Sequence, residues 1–229
     1  MHTSGKERRP ETIGLLGGLG VGAAVHYYRE LAAAHQRLGR TMDLVMTHAS
    51  IARATDYAAA GNRKGLADYL AGFVERLKAA GATFAVLPAL TPHMCIEELQ
   101  AIAALPVIDL TQVVADHVRE RKLGTVALFG TRYVVESNLY GRLTNAVRPR
   151  EAEVQFVHDA YTRLAYSGVV SAEDRQRFIA LAETLQKRDG VDVIILAGTD
   201  FALMFDQTNT PFPNIDCTAV HIGVIMDAQ

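Results

Sequence analysis

The sequence predicts an α/β fold made of two similar parallel-sheet domains, related by a pseudo-twofold axis, with a ligand cleft between them. Three observations predict it. Short apolar runs alternate with helix-length amphipathic stretches along the chain, the pattern of parallel strands joined by crossover helices. Two of those runs, VLPALTPH over 86–93 and ILAGTDF over 195–201, end in a small residue, a threonine and a polar side chain. A buried strand that delivers a binding loop ends in this way. Three segments also recur in order: TIGLLG with TVALFG, LPALT with ILAGT, and VIDLTQVV with NIDCTAVH. All three pairs lie roughly 110 residues apart, as the copies of a duplicated unit should.

The elements follow in chain order. Residues 12–16 form an apolar strand; the glycine-rich turn 17–22 and a helix over 23–38 come next. Strand, glycine turn and helix together point backbone N–H groups at an anion, although the spacing is neither a dinucleotide fingerprint nor a P-loop. The turn either holds a small carboxylate or phosphate or is simply tight. A second strand over 44–47 leads into a loop at 48–53. A helix over 64–80 carries Leu66, Tyr69, Leu70, Phe73, Val74 and Leu77 on one stripe and is capped by Gly81. Residues 84–87 form the third strand, 94–104 a helix, and 106–109 a short strand, with Thr111 as cap of a helix reaching 121. The second half repeats the order: strand 124–129, turn 130–133, helix 134–145, strand 154–157, helices 160–166 and 172–188, strand 191–196, and a last helix over 219–227. The domain reading is therefore a disordered arm over 1–11, a first domain of 12–115 plus 210–229, and a second of 116–209.

Composition narrows the function. The chain has 229 residues, 49% of them hydrophobic, and a net charge of −2. That is enough to bury a large core. It leaves no basic excess to hold nucleic acid or an anionic membrane, and no apolar run reaches the length of a membrane span. The two cysteines make no disulfide framework, so a cytoplasmic protein with free thiols is expected. No His/Cys spacing suggests a metal.

The motifs resemble the aspartate/glutamate racemase family, the cofactor-independent amino-acid racemases. The resemblance runs from Thr12 to Ala228. GLLGGLGVGAAVHYYREL is similar to the family's opening turn and helix, LFGTRYVVESNLYGRL to the segment that opens its second half, and IDCTAVH to its D-T-T-x-x-H. LPALTPH stands where the family has P-C-N-T-x-H, and ILAGTDF where it has G-C-T-E. The resemblance implies the two-domain fold, no cofactor, and a small amino or carboxylic acid as ligand. It also allows a homodimer. In the family, two cysteines on opposite sides of the substrate's α-carbon exchange its proton. Here those positions are Ala89 and Gly198, the asparagine position is Leu90, and the glutamate position is Asp200; Thr91, His93 and Thr199 are kept. Neither Ala89 nor Gly198 can carry a proton, so two-thiol racemisation is rejected while the fold is retained.

Other groups are candidates for the chemistry. His93 is a base or a tie for its loop. Asp200 is a desolvated base or a carboxylate favouring a helix N-terminus. Cys95 and Cys217 are displaced reactive thiols or core packing, and His221 borders the same region in a hydrogen-bonding role. For the ligand, Gly18, Leu19 and Gly20 offer amides, and Thr91, Thr131 and Thr199 hydroxyls and amides. The resemblance implies that Ser50 and Arg53, with Tyr166, stand where relatives bind a distal carboxylate. A cleft floored by Ala89, Leu90 and Gly198 is expected to be wider and more apolar than the family's. Three functions remain open: an isomerase, lyase or decarboxylase with altered chemistry, a non-catalytic binding protein, and a racemase with surrogate bases.

Overall fold

The structure is a computed structural model and describes residues 11–206 and 208–228. The expected N-terminal arm lies outside the described residues except for Glu11, which is exposed. The first sheet has the order β2-β1-β3, all parallel: β1 (Ile13–Gly17) between β2 (Leu44–His48) and β3 (Phe84–Val86). Around it run α1 (Val21–Arg37), α2 (Ile51–Ala59), α3 (Arg63–Ala79), a 3-10 turn at Thr91–Cys95 and α4 (Ile96–Ile102). Then come α5 (Leu110–Glu120), β4 (Val126–Gly130), α6 (Arg132–Glu136), β5 (Ala146–Val147), α7 (Glu151–Ser167), α8 (Ala172–Asp189), β6 (Val193–Ala197), a 3-10 turn at Thr199–Leu203, β7 (Asn214–Asp216) and α9 (Cys217–Asp227). The second sheet, β5-β4-β6-β7, is also parallel.

The two halves exchange their last helices. Leu110, Val114, Ala115 and Val118 of α5 pack into the second half's core with Val126, Leu128 and Ile195. Ile222 and Ile225 of α9 pack into the first half's core with Ile13, Leu15, Tyr27 and Val86. Each such aliphatic side chain contributes about 1.5–3 kcal/mol when fully buried, so the exchange clamps the halves together. Both helices start alike: Asp109 accepts from the amides of Thr111 and Gln112, and Asp216 from that of Thr218. Asp109, not Thr111, is therefore the cap of α5. The division that gives 210–229 wholly to the first domain changes too, because β7 pairs with β6 in the second sheet and only α9 returns.

Four other elements differ from expectation. Residues 51–59 are helical, where a loop is expected at 48–53 and no element from 54 to 63, and Ser50 Oγ caps the helix by accepting from the Arg53 amide. The strand expected at 106–109 is reduced to one bridge between Ala85 and Val107. The helix expected at 134–145 stops at Glu136, and Asn138, Leu139 and Tyr140 take left-handed φ values of 50°, 56° and 57°. The strand expected at 154–157 lies inside α7, where Val154, Val157, Tyr161, Leu164 and Ala165 form one buried stripe. A four-residue apolar run does not distinguish the two. No helix among the described residues is long and apolar enough to cross a membrane.

Candidate functional site

The carboxyl ends of β3 and β6 bring the two motif loops together. Thr199 Oγ1 donates to the Pro88 carbonyl at 2.9 Å, and Thr218 Oγ1 to the Thr199 carbonyl at 3.3 Å. Thr91 and Thr131 share a hydrogen bond between their hydroxyls at 2.9 Å, and Tyr140 donates to the Thr91 carbonyl at 2.9 Å. The loops thus meet directly, and the open space lies beside them.

That space is a cavity of about 110 Å³ between α2 and α7, room for several waters or a small organic molecule. Leu19, Ala89, Leu90, Thr91 and Thr131 form its inner wall, Ile51, Ala54 and Thr55 one side, and His158, Tyr161, Thr162, Ala165 and Tyr166 the other. Tyr166 donates to Thr55 Oγ1 at 3.3 Å, joining α7 to α2 across the cavity. His158 Nδ1 accepts from the Arg132 amide at 3.2 Å. The ring's proton is therefore on Nε2, and burial lowers its pKa. The sequence reading singles out none of the wall residues Tyr161, His158 and Thr55, because it assigns no element to 54–63 or 158–159 and breaks the face of α7 between a strand at 154–157 and a helix at 160–166. The 3- and 4-residue spacing from Val154 to Ala165 was the signal for that face of α7.

Gly198 is not on the wall. Its backbone is extended, with φ −158°, which any residue adopts. A β-carbon there would stand 2.3 Å from Tyr161 Cε2 and 2.5 Å from Cζ. The Tyr161 ring fills the place of a side chain at 198, so the expected widening of the cleft on this side does not occur.

Asp200 belongs to the glycine-rich turn rather than to the cavity. Its Oδ1 accepts from the Ala23 amide at 2.9 Å, in the first turn of α1, and its Oδ2 accepts from Tyr161 Oη at 3.3 Å. Burial pushes its pKa up to about 6, and the amide and phenol only partly offset that. A β-carbon on Gly20 would approach Asp200 Oδ2 to 2.5 Å. The α1 amino end, where the sequence allows a ligand's carboxylate or phosphate or a merely tight turn, thus receives an internal carboxylate. Of the three turn residues, Leu19 lines the cavity and Gly18 a separate groove.

The remaining candidates lie away from the cavity wall. His93 uses both ring nitrogens: Nδ1–H donates to the Ala89 carbonyl at 2.7 Å, and Nε2 accepts from the Leu110 amide at 3.2 Å. It ties the β3 loop to the start of α5, and burial holds its pKa below the ordinary value. Cys95 is fully buried, donates to the Pro92 carbonyl, and is pushed up to about 12 by burial. Cys217, first residue of α9, is also fully buried and its thiol is raised for the same reason. His221 Nδ1 meets Tyr27 Oη at 3.0 Å, its Nε2 has no partner among the described residues, and burial drives its pKa down to about 3. Ser50 and Arg53 face the separate groove, where the Arg53 guanidinium lies 4.6 Å from the Tyr69 ring centroid. Among the described residues, no group of three or more His, Cys, Asp or Glu is placed to hold a metal.

Comparison with known proteins places this architecture. The sequence profile of the Asp/Glu/Hydantoin racemase family matches residues 16–225. A candidate Asp/Glu racemase from Yersinia pestis superimposes with a TM-score of 0.80 at 24% identity, covering 95% of this chain and 98% of its own. An aspartate racemase from Picrophilus torridus gives 0.80 at 15% identity over 95% and 94%. A glutamate racemase from Francisella tularensis, solved in complex with D-glutamate, gives 0.66 at 16% identity over 95% and 80%. These likenesses are to the fold, two parallel-sheet halves around a cleft. The chain belongs to the Asp/Glu/Hydantoin racemase family.

Proposed function

We propose that this chain binds a small amino or carboxylic acid in the cavity between α2 and α7 and does not racemise it through two thiols. The reading rests on one observation: the Tyr161 ring occupies the space that a side chain at residue 198 needs. Residue 89 on the facing loop is alanine, so neither loop carries an acid–base group at its motif position. Proton exchange at an α-carbon needs a base within hydrogen-bond reach. The ionisable wall residues are phenols and His158, whose Nδ1 is engaged by a backbone amide. The same wall suits binding. One hydroxyl of the Thr91–Thr131 pair keeps its hydrogen for a ligand's carboxylate, and His158 Nε2–H is a second donor. Leu19, Ala89 and Leu90 favour a short apolar body. The ligand would be held without a cofactor, and the buried, unpaired thiols fit a cytoplasmic location.

A specific observation favours a second reading. Tyr161, which touches the cavity, is hydrogen-bonded to the buried Asp200 carboxylate. This is the pair through which altered, one-sided chemistry would pass. Burial and the neighbouring carboxylate raise the phenol's pKa well above its ordinary value, which makes it a weak acid at neutral pH.

Thermal-shift titration with a panel of small amino and carboxylic acids tests the reading. At least one should raise the wild-type melting temperature saturably, and Thr131→Val should remove the rise. Failure of every acid to stabilise the wild type would overturn it. Turnover of a stabilising acid, abolished by Tyr161→Phe, would select the second reading.

A further inference from the structure

Three arginines adjoin wall residues of the cavity in sequence, and none faces it. Arg53 precedes Ala54, Arg132 follows Thr131, and Arg163 follows Thr162. Neighbours in sequence along a helix do not share a face. Arg53 stacks on Tyr69 and lines the separate groove. Arg132 donates to Glu136 at 2.8 Å, to Glu151 at 2.6 Å and to Gln155. Arg163 donates to both carboxylate oxygens of Asp174 at 3.0 Å. Asp200 does not line the cavity either; it accepts from Tyr161 Oη and the Ala23 amide. Among the described residues, the lining thus contains no Lys, Arg, Asp or Glu. Burial keeps His158 below its ordinary pKa, so its ring is uncharged at neutral pH.

The loop carbonyls that would receive an ammonium group are occupied as well. That of Pro88 accepts from Thr199 Oγ1, that of Ala89 from His93 Nδ1, that of Leu90 from the His93 amide, and that of Thr91 from Tyr140 Oη. Donors for a ligand gather at one place instead. They are the Thr91–Thr131 hydroxyl pair and His158 Nε2–H, and His158 is tied to the amide of the residue after Thr131. One carboxylate can be satisfied there. A second charge of either sign would be desolvated with no opposite charge to meet it, which is costly. Size restricts the rest of the ligand. At about 110 Å³ the cavity is smaller than the apolar cavity of about 150 Å³ that admits benzene, so a short aliphatic chain suits it better than a ring.

We propose, resting on the reading that this cavity is the ligand site, that its ligand is a short aliphatic acid with a single carboxylate, no α-ammonium group and no second charge. Charge, not size, is what turns away α-amino acids and dicarboxylates.

Three probes of similar size separate those two effects: 2-methylbutyrate; 2-aminobutyrate, in which an ammonium replaces the methyl group; and methylmalonate, in which a carboxylate replaces the ethyl group. In calorimetric titration of the full chain at pH 7.5, 2-methylbutyrate should bind saturably and the other two at least tenfold more weakly. Thr131→Val should weaken 2-methylbutyrate binding tenfold or more, its fold checked by circular dichroism. Should that variant fail to fold, Ala165→Leu, which fills the cavity from α7, takes its place. Binding of either charged analogue within tenfold of 2-methylbutyrate would overturn the proposal and leave the cavity standing as the ligand site. Binding of 2-methylbutyrate that the cavity variant leaves unchanged would place it elsewhere and overturn the proposal too. Saturable binding of none of the three also overturns it, and the reading of the cavity as a ligand site falls with it only if no acid of the wider thermal-shift panel stabilises the protein.

Discussion

Replacing Gly198 by cysteine, and Ala89 by cysteine on the opposite loop, should have unequal costs. A β-carbon at Gly198 would lie 2.3, 2.5 and 2.9 Å from three atoms of the Tyr161 ring. That ring has little room to retreat. It is 6% exposed, 4.9 Å from the Phe201 ring centroid, and hydrogen-bonded to Asp200. Overpacking a tight core costs about 1–3 kcal/mol, and these contacts place Gly198→Cys near the upper end, at about 3 kcal/mol. For a chain of this size the melting temperature should fall by about 6–12 °C. Ala89 lines the cavity, so a sulfur there has space and should cost less than about 1 kcal/mol. Tyr161→Ala alone should cost about 3–5 kcal/mol as a large-to-small change. Combined with Gly198→Cys it should cost less than the two singles together, with a coupling of at least about 1 kcal/mol. Urea denaturation of the four variants and the wild type measures all of this. Gly198→Cys within about 0.5 kcal/mol of wild type, or strict additivity with Tyr161→Ala, would refute the claim that the ring owns that space.

Other perturbations read other parts of the structure. The Asp200 carboxyl is raised to about 6 by burial, so its protonated form favours folding below pH 4 and that contribution is lost as pH rises through 6. Asp200→Asn should therefore gain on the wild type as pH rises from 4 to 7, by on the order of 3 kcal/mol; equal differences at both pH values would contradict this. His221 is held down at about 3, so its contribution is present above the ordinary histidine value and is lost as pH falls from about 6.5 toward 3. His221→Gln should flatten the acid limb of the stability profile measured by urea denaturation, and parallel profiles would contradict the assignment. Cys95 and Cys217 are fully buried with raised pKa values, so a thiol reagent at pH 7.5 should label neither in the native state and both in denaturant. Rapid labelling of one native thiol would revive a reactive-cysteine role. Gly72→Ala should stabilise α3 by about 1 kcal/mol, read by thermal melting; loss of stability would mean that the glycine has a packing role.

The strands around the site were legible because each is a short apolar run closed by glycine or a small residue, and the buried β1, β4 and β6 need no alternation to be recognised. The duplication was legible as well, and it explains why Asp109 and Asp216 cap corresponding helices. α2 was not, because its alanine-rich sequence, IARATDYAA, has a narrow apolar stripe and its cap is one weak serine contact. The start of α7 reads as a strand because VQFV satisfies a strand template over four residues, and its helical period emerges only over twelve. The glycine-rich turn reads as a place for a ligand's carboxylate or phosphate, or as simply tight, and in the structure the Ala23 amide beside it donates to Asp200, 177 residues away. No local pattern carries that pairing. The same holds for Tyr161 and Gly198, whose encounter depends on how α7 packs over the end of β6. That residues 89 and 198 are alanine and glycine is read directly from the sequence; the packing of the Tyr161 ring against residue 198 is tertiary.

Solvent exchange of the α-proton is the most direct test of the reading that the cavity binds an acid without exchanging its α-proton. Wild-type protein would be incubated in D₂O with an acid shown by thermal shift to bind, and the α-proton signal followed by NMR together with the optical purity of the recovered acid. The expected result is binding without deuterium incorporation and without inversion. Deuterium at the α-carbon accompanied by inversion would contradict it, because it would require two acid–base groups to reach opposite faces of a ligand between Ala89 and the Tyr161 ring.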